Sequence, residues 1–366
     1  MFRVVAALVL SFALAGPVAV QAAAPPPTAK TAAAPARLAA MNGLPTETTA
    51  AIDAAALQVL ERTGVPSASI AVVKDGRLVY LAAYGMADRE AGRPADIKAR
   101  YGIGSISKQF TAAGVLLLAE DGKLSLDEPV GKYVPGLTAG DRITIRQVLS
   151  HTSGYRDYWP QDYVMEEMMH PTTPEHIFDK WARTPLDFEP GAQWQYSNTG
   201  YTIAGRIIEK VTGRPYLEFL QKRIFKPLGM TSVTEVDTRP LGPTDARGYM
   251  RYALGPLHRA PKEGAGWLYA MGELAMTPED LAKWDVSLIK RSLLKPGSYD
   301  AQFREVMLND GKGSGYGLGV SVGKDRGRRT ISHGGEISGF LASNRVYVDD
   351  GVAIRSEEHT SELQSH

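Results

Sequence analysis

The chain contains no cysteine. Disulfides, thiolate nucleophiles and cysteine-ligated metals are therefore excluded. Its seven histidines show no His-x-x-x-His or His-Glu-x-x-His spacing, which argues against a zinc hydrolase. An excess of one charge is also missing. Lys and Arg total 41 against 40 for Asp and Glu, a formal net charge of +1. No block of like charge occurs, so neither nucleic acid nor an acidic surface is indicated as a partner. No internal repeat is present. What remains is 366 residues, 44% hydrophobic and 22% charged. That composition fits a large soluble enzyme with a substantial core, built as one or two units.

The N-terminus reads as an export signal. Arg3 precedes an apolar stretch at 4–15, and Val20-Gln-Ala22 offers a cleavage site after Ala22. The stretch is too short to span a bilayer and is interrupted by Gly16 and Pro17. Residues 1–22 are thus expected to be a signal peptide, and the Ala- and Pro-rich residues 23–45 a flexible linker. The protein is expected to be exported, periplasmic or secreted, with no integral membrane anchor after cleavage.

Residues 48–63 carry apolar side chains at helical spacing. Two β-rich runs, 67–73 and 78–84, flank the hairpin signal Lys74-Asp-Gly-Arg77. An apolar helix opens at Ser105 and is stopped near residue 120 by Asp121-Gly122. Further helices are expected at 144–149, 173–181, 201–211, 216–225 and 277–289, the last opened by Thr277-Pro-Glu-Asp280. Strands return at 317–322 and 329–332, followed by a hairpin at 344–354. The expected fold is α/β: an antiparallel sheet assembled from both chain ends (46–104 and 310–354), flanked by helices, with an all-helical region inserted at about 105–309.

Three short motifs carry chemistry. In Tyr101-Gly-Ile-Gly-Ser-Ile-Ser-Lys-Gln-Phe110, Ser105 and Lys108 lie three positions apart on one helical face. A serine hydroxyl is a weak nucleophile, and an adjacent amine can activate it. The pair alone also reads as an N-cap serine beside an exposed lysine. Tyr196-Ser-Asn198 precedes a helix. The Tyr196 phenol can shuttle a proton if a nearby ammonium lowers its pKa, and Asn198 can orient a substrate carbonyl or fix the lysine. His333-Gly-Gly335 follows a strand-like segment. Gly334 and Gly335 permit a ligand to approach the backbone closely. The amide of Glu336 is then a second oxyanion donor beside that of Ser105.

Together and in this order, the motifs resemble the serine β-lactamase and penicillin-binding-protein superfamily: Ser-x-x-Lys, then Tyr-x-Asn or Ser-x-Asn, then Lys-Thr-Gly or His-x-Gly. Gly122-Lys-Leu-Ser-Leu-Asp127, Ile143-Thr-Ile-Arg-Gln-Val-Leu-Ser-His-Thr-Ser-Gly154, Pro190-Gly191, Lys226-Pro-Leu-Gly-Met230 and Tyr316-Gly-Leu-Gly319 resemble the class C β-lactamase branch. That branch includes D-Ala-D-Ala carboxypeptidases, D-aminopeptidases and esterases. The resemblance covers 48–354. It implies Ser105 as the acylated nucleophile, Lys108 and Tyr196 as its proton partners, and Asn198, His333, Gly334, Gly335 and Glu336 around the substrate. It implies no cofactor and no metal.

True class C β-lactamases usually carry lysine where His333 stands. A neutral histidine is a weaker attraction for a substrate carboxylate near pH 7. The expectation is therefore a serine hydrolase acting on ester, amide or D-amino-acid peptide substrates, small or peptidoglycan-derived. The alternatives are a β-lactamase proper or a non-catalytic peptidoglycan sensor. Two aromatic groups, Tyr155, Tyr158 and Trp159 and then Trp267 and Tyr269, read equally as pocket walls or as packing.

At the other end, residues 355–365 resemble the conceptual translation of a sequencing adapter. The expectation is a non-native tail at 355–366 and a C-terminally truncated fold. Its last strand would stop at Ile354, leaving a sheet position unpaired.

Overall fold

The computed structural model describes residues 36–37, 43–159, 165–251 and 255–358. The expected signal peptide, most of the linker and the tail beyond 358 lie outside these residues. Among the described residues no helix is long and apolar enough to cross a membrane.

The elements that position the site are α1 (Thr46–Thr63), β1 (Ser67–Lys74), β2 (Arg77–Asp88), α2 (Ser107–Glu120), α3 (Asn198–Thr212), α4 (Pro278–Lys290), β3 (Ser321–Asp325), β4 (Arg328–Ile337), β5 (Phe340–Tyr347) and β6 (Val352–Glu358). The sheet runs β2-β1-β6-β5-β4-β3, all antiparallel, and residues 36–37 pair with the outer side of β2. As the sequence implies, it draws its strands from the two ends of the chain. The β1–β2 turn has Asp75 at φ 52° and Gly76 at φ 66°. Two left-handed residues give the turn a twist that matches its strands.

Each face of the sheet is closed by a helix. From α1, Ile52 and Ala56, one helical turn apart, pack on Ile70, Val72, Tyr80, Tyr84, Tyr347 and Ile354. On the other face α4 lies against β1, β2 and β6. Helix α2 is apolar nearly all round and buried from Ser107 to Leu118, as a helix at the centre of a core must be. Its Gln109 accepts a hydrogen bond from the Trp284 indole of α4 at 2.7 Å.

Three strand expectations need correction. The segment expected at 317–322 forms a strand only from Ser321 to Asp325, because Gly315 and Gly319 take left-handed φ of 70° and 75° and turn the chain. The segment expected at 329–332 is ten residues long, so His333, Gly334 and Gly335 lie inside a strand. Two glycines hid its alternation. The last strand does not stop at Ile354. It continues to Glu358, pairing with β5 and β1 on both sides.

That continuation carries charge into the core. Arg355 and Glu357 are buried on the face that meets α4, next to Ala353. The Arg355 guanidinium finds no hydrogen-bond partner among the described residues and only Asp285 at 3.3 Å. Burial raises Asp285 to about 6, despite Arg355, and Glu357 to about 7. Replacing a buried, poorly bonded ion pair by apolar residues often stabilises by about 1–4 kcal/mol, whereas removing one partner strands the other. The double change Asp285→Leu with Arg355→Met should therefore raise the melting temperature by roughly 2 °C or more. Arg355→Met alone should melt below the double variant. Calorimetry of the three chains decides; a double variant melting below the parent refutes the expectation.

Candidate active site

The region expected to be all-helical, about 105–309, also holds short strands, and two of them complete a three-stranded ribbon that fixes the nucleophile's approach. Residues 101–102 pair with 274–276, which pair with 234–235, and the Ile103 amide donates to the Leu274 carbonyl at 3.0 Å. Ser105 then sits in a 3-10 turn, Gly104–Ile106, just ahead of α2. It is not an N-cap: no side-chain cap bond forms at the start of α2. Nor is Lys108 an exposed first-turn residue; it is fully buried.

The Lys108 amine lies within hydrogen-bonding distance of three oxygens. Ser105 Oγ lies at 2.9 Å, Asn198 Oδ1 at 2.7 Å and the Met271 carbonyl at 2.8 Å. Burial holds its pKa well below the ordinary lysine value, with the Asp157 carboxylate opposing that shift. A neutral amine keeps two N–H bonds and one lone pair. If the N–H groups stay on Asn198 and Met271, the lone pair faces Ser105, which is the geometry of a base.

Asn198 opens α3, whose N-cap is Ser197, with the hydroxyl accepting from the Gly200 amide at 3.3 Å. Of the two tasks open to Asn198, the structure shows it holding the lysine. The Tyr196 ring lies 4.9 Å from the Lys108 amine. Burial raises the phenol's pKa well above the ordinary value, although the Ser105 hydroxyl beside it lowers it somewhat. The lowering by a neighbouring ammonium that the sequence suggested is not what acts here: desolvation of the phenolate dominates, and the nearby Asp157 carboxylate raises the pKa further. Tyr196 therefore stays protonated and is suited to giving a proton.

Strand β4 meets the nucleophile turn backbone to backbone. A Cβ on Gly335 would lie 1.9 Å from the Ile103 carbonyl oxygen and 3.3 Å from the Ser105 nitrogen; one on Gly104 would lie 2.6 Å from the Glu336 nitrogen. Neither position tolerates a side chain. The close approach brings the amides of Ser105 and Glu336 to one place, as an oxyanion site requires. The glycine freedom at Gly335 thus serves contact with the chain itself, whereas Gly334 is open on its Cβ side.

His333 is buried beside Tyr196. Its Nδ1 faces the Gly334 carbonyl, which can only accept, so Nδ1 carries the proton. Its Nε2 accepts from the Tyr316 hydroxyl at 2.7 Å. Burial first, then the nearby Lys108, pushes its pKa down to about 3. The ring is neutral at any ordinary working pH.

Four side chains here went unassigned in the sequence, although two stood inside quoted motifs. His151 packs against Tyr196 with ring centres 4.2 Å apart and accepts from the Ser197 amide at 3.1 Å. Tyr316 holds His333. Trp194, 41% exposed, leans on Tyr196 and Tyr316 at the rim. Asp157 binds Asn198 from behind. The aromatic groups left open in the sequence are mainly packing: Tyr155 bonds the Thr138 carbonyl, Tyr158 the Trp267 carbonyl and the Trp267 indole the His170 carbonyl.

Known proteins resemble this chain over most of its length. The family model described as Beta-lactamase matches residues 52–354. A penicillin-binding protein of Bacillus subtilis (strain 168) is 30% identical over 296 residues, covering 77% of this chain and 65% of that protein. The chain spans about two thirds or less of the length of the curated relatives it matches. Among solved structures, a D-stereospecific amidohydrolase from Streptomyces sp. superimposes with a TM-score of 0.72 at 29% identity, covering 84% of this chain and 93% of the other. The octameric penicillin-binding protein homologue from Pyrococcus abyssi gives 0.72 at 28%, covering 85% and 73%.

Proposed function

Since the chain belongs to the Beta-lactamase family, we propose that it is a serine hydrolase that cleaves esters and amides lacking a carboxylate, D-amino-acid amides among them, through an acyl-enzyme on Ser105. The observation carrying this reading is the Lys108 amine, buried and 2.9 Å from Ser105 Oγ. Neutral Lys108 takes the Ser105 proton as Oγ bonds to the substrate carbonyl carbon. The oxyanion rests on the amides of Ser105 and Glu336. Collapse breaks the bond to the leaving group, which receives a proton from Tyr196, and Lys108 returns a proton to Tyr196. Water then attacks the ester by the same route, releasing acid and free Ser105.

The substrate preference follows from charge. His333 is neutral and Lys108 is poorly charged, so the site offers a substrate carboxylate little attraction. The similarity to a D-stereospecific amidohydrolase supports amides as substrates. A panel of p-nitrophenyl butyrate, D-amino-acid amides, D-Ala-D-Ala peptides and nitrocefin tests this. The ester and the amides should show higher kcat/KM than nitrocefin or the carboxylate-bearing peptides. His333→Lys should improve nitrocefin turnover by roughly ten-fold, mainly through KM, since a close charge is worth about 1–4 kcal/mol at this range of screening. Nitrocefin turnover by the parent that equals or exceeds butyrate turnover would overturn the charge argument.

A further inference from the structure

The base in this site depends on a carboxylate that the acylation scheme does not use. We propose that Asp157 is a positioning residue for Lys108: its carboxylate fixes the orientation of the Asn198 amide and is the counter-charge facing the buried amine. The inference rests on Ser105 and Lys108 acting as proposed above.

Asp157 lies in the loop between the His151 turn and residue 159. Its Oδ1 accepts from the Asn198 backbone amide at 2.9 Å and from the Trp159 amide at 3.2 Å. Its Oδ2 accepts from Asn198 Nδ2 at 3.2 Å. A carboxylate only accepts, so the NH2 end of Asn198 must turn toward Asp157. That leaves Oδ1 toward Lys108, at 2.7 Å. In the flipped orientation, the amide would set donor against donor and Lys108 would lose one of its acceptors.

Charge adds a second effect. The groups around Lys108 are Ser105 on its own segment, His151 and Asp157 on the preceding loop, Tyr196 and Tyr201 around the start of α3, Met271, and His333 on β4 with Tyr316 behind it. Both histidines are kept neutral by burial, and Tyr196, Tyr201 and Tyr316 are kept protonated by it. Asp157 is the carboxylate of this set. Burial raises its own pKa, opposed by the hydrogen bonds it accepts from Asn198 and Trp159 and by Lys108, and it raises the Lys108 pKa against burial. A base that must gain and lose a proton in each turnover works best with a pKa near the working pH. Burial weakens the amine's hold on the proton it takes, and the Asp157 carboxylate strengthens it.

The test is the pH profile of kcat/KM for p-nitrophenyl butyrate, together with acylation of Ser105 followed by intact mass. In the parent, the acid limb reports protonation of Lys108. Removing the anion destabilises the ammonium, so in Asp157→Asn the limb should move to lower pH by about one unit or more. The plateau should fall by roughly ten-fold or more as the Asn198 amide loses its fixed orientation. Asp157→Glu keeps the charge and should leave the limb near the parent position while the plateau falls. If Asp157→Asn does not fold, the glutamate variant carries the test, and a displaced limb with an unchanged plateau would overturn the proposal. A parent that acylates normally beside an Asp157→Asn limb that has not moved overturns the role of Asp157 alone. A parent that never acylates overturns the hydrolase reading and this inference with it.

Discussion

Ser105→Ala should take up no acyl adduct from a slow ester or a fluorophosphonate, while the parent gains the mass of one. Turnover of every substrate should fall by at least four orders of magnitude, on the order of what losing a nucleophile costs other serine hydrolases. The expectation rests on geometry. Ser105 is the hydroxyl within 2.9 Å of the buried amine, and its own amide lies where β4 reaches the turn. The substitution removes one oxygen from a half-buried position, so the fold should be retained and the melting temperature should stay close to the parent's. A persistent adduct on the alanine variant would move the nucleophile elsewhere. Unchanged turnover without an adduct would point to direct attack by water.

Lys108→Met should separate activity from stability. Methionine nearly matches the length of the lysine side chain but has no amine. Acylation should slow by roughly 10²–10⁴-fold, the usual worth of a positioned proton acceptor. The melting temperature should hold or rise. A buried amine is costly to desolvate, and the apolar replacement suits its buried surroundings. Asn198 and the Met271 carbonyl each lose a hydrogen bond, which limits the gain. Stopped-flow acylation and calorimetry on the same preparation check both halves. A variant acylating at parent rate would remove Lys108 from the mechanism. One that is inactive and also melts far below the parent would show that the lysine acts chiefly in holding the fold.

Much of this protein was legible in its sequence because the signals are local. Helical spacing located α1, α2, α3 and α4. Lys74-Asp-Gly-Arg77 marked the first hairpin, since consecutive left-handed residues are a property of the turn itself. The three motifs named Ser105, Lys108, Tyr196, Asn198, His333 and Glu336, and the structure brings them together. The missed strand lengths have local causes as well. Gly334 and Gly335 interrupt the alternation of β4, and the charges of Arg355, Glu357 and Glu358 disguise β6.

Tertiary structure alone decided the chemical states of those residues. Spacing cannot say whether a lysine is exposed or buried, and burial is what brings Lys108 toward neutrality, keeps Tyr196 protonated and holds His333 uncharged. The direction of the Tyr196 shift was misread for that reason: a neighbouring charge can be guessed from a motif, but loss of water cannot. The partners that complete the site are also distant in sequence. Asp157 reaches Asn198 across 41 residues, and the Met271 carbonyl reaches Lys108 across 163. Nothing in the local pattern of Asp157 or Met271 marks them. The sequence by itself determined which groups could react, because reactivity belongs to residue type and short spacing. The fold decided which of them hold protons, because desolvation and counter-charge arise only once distant segments have packed together.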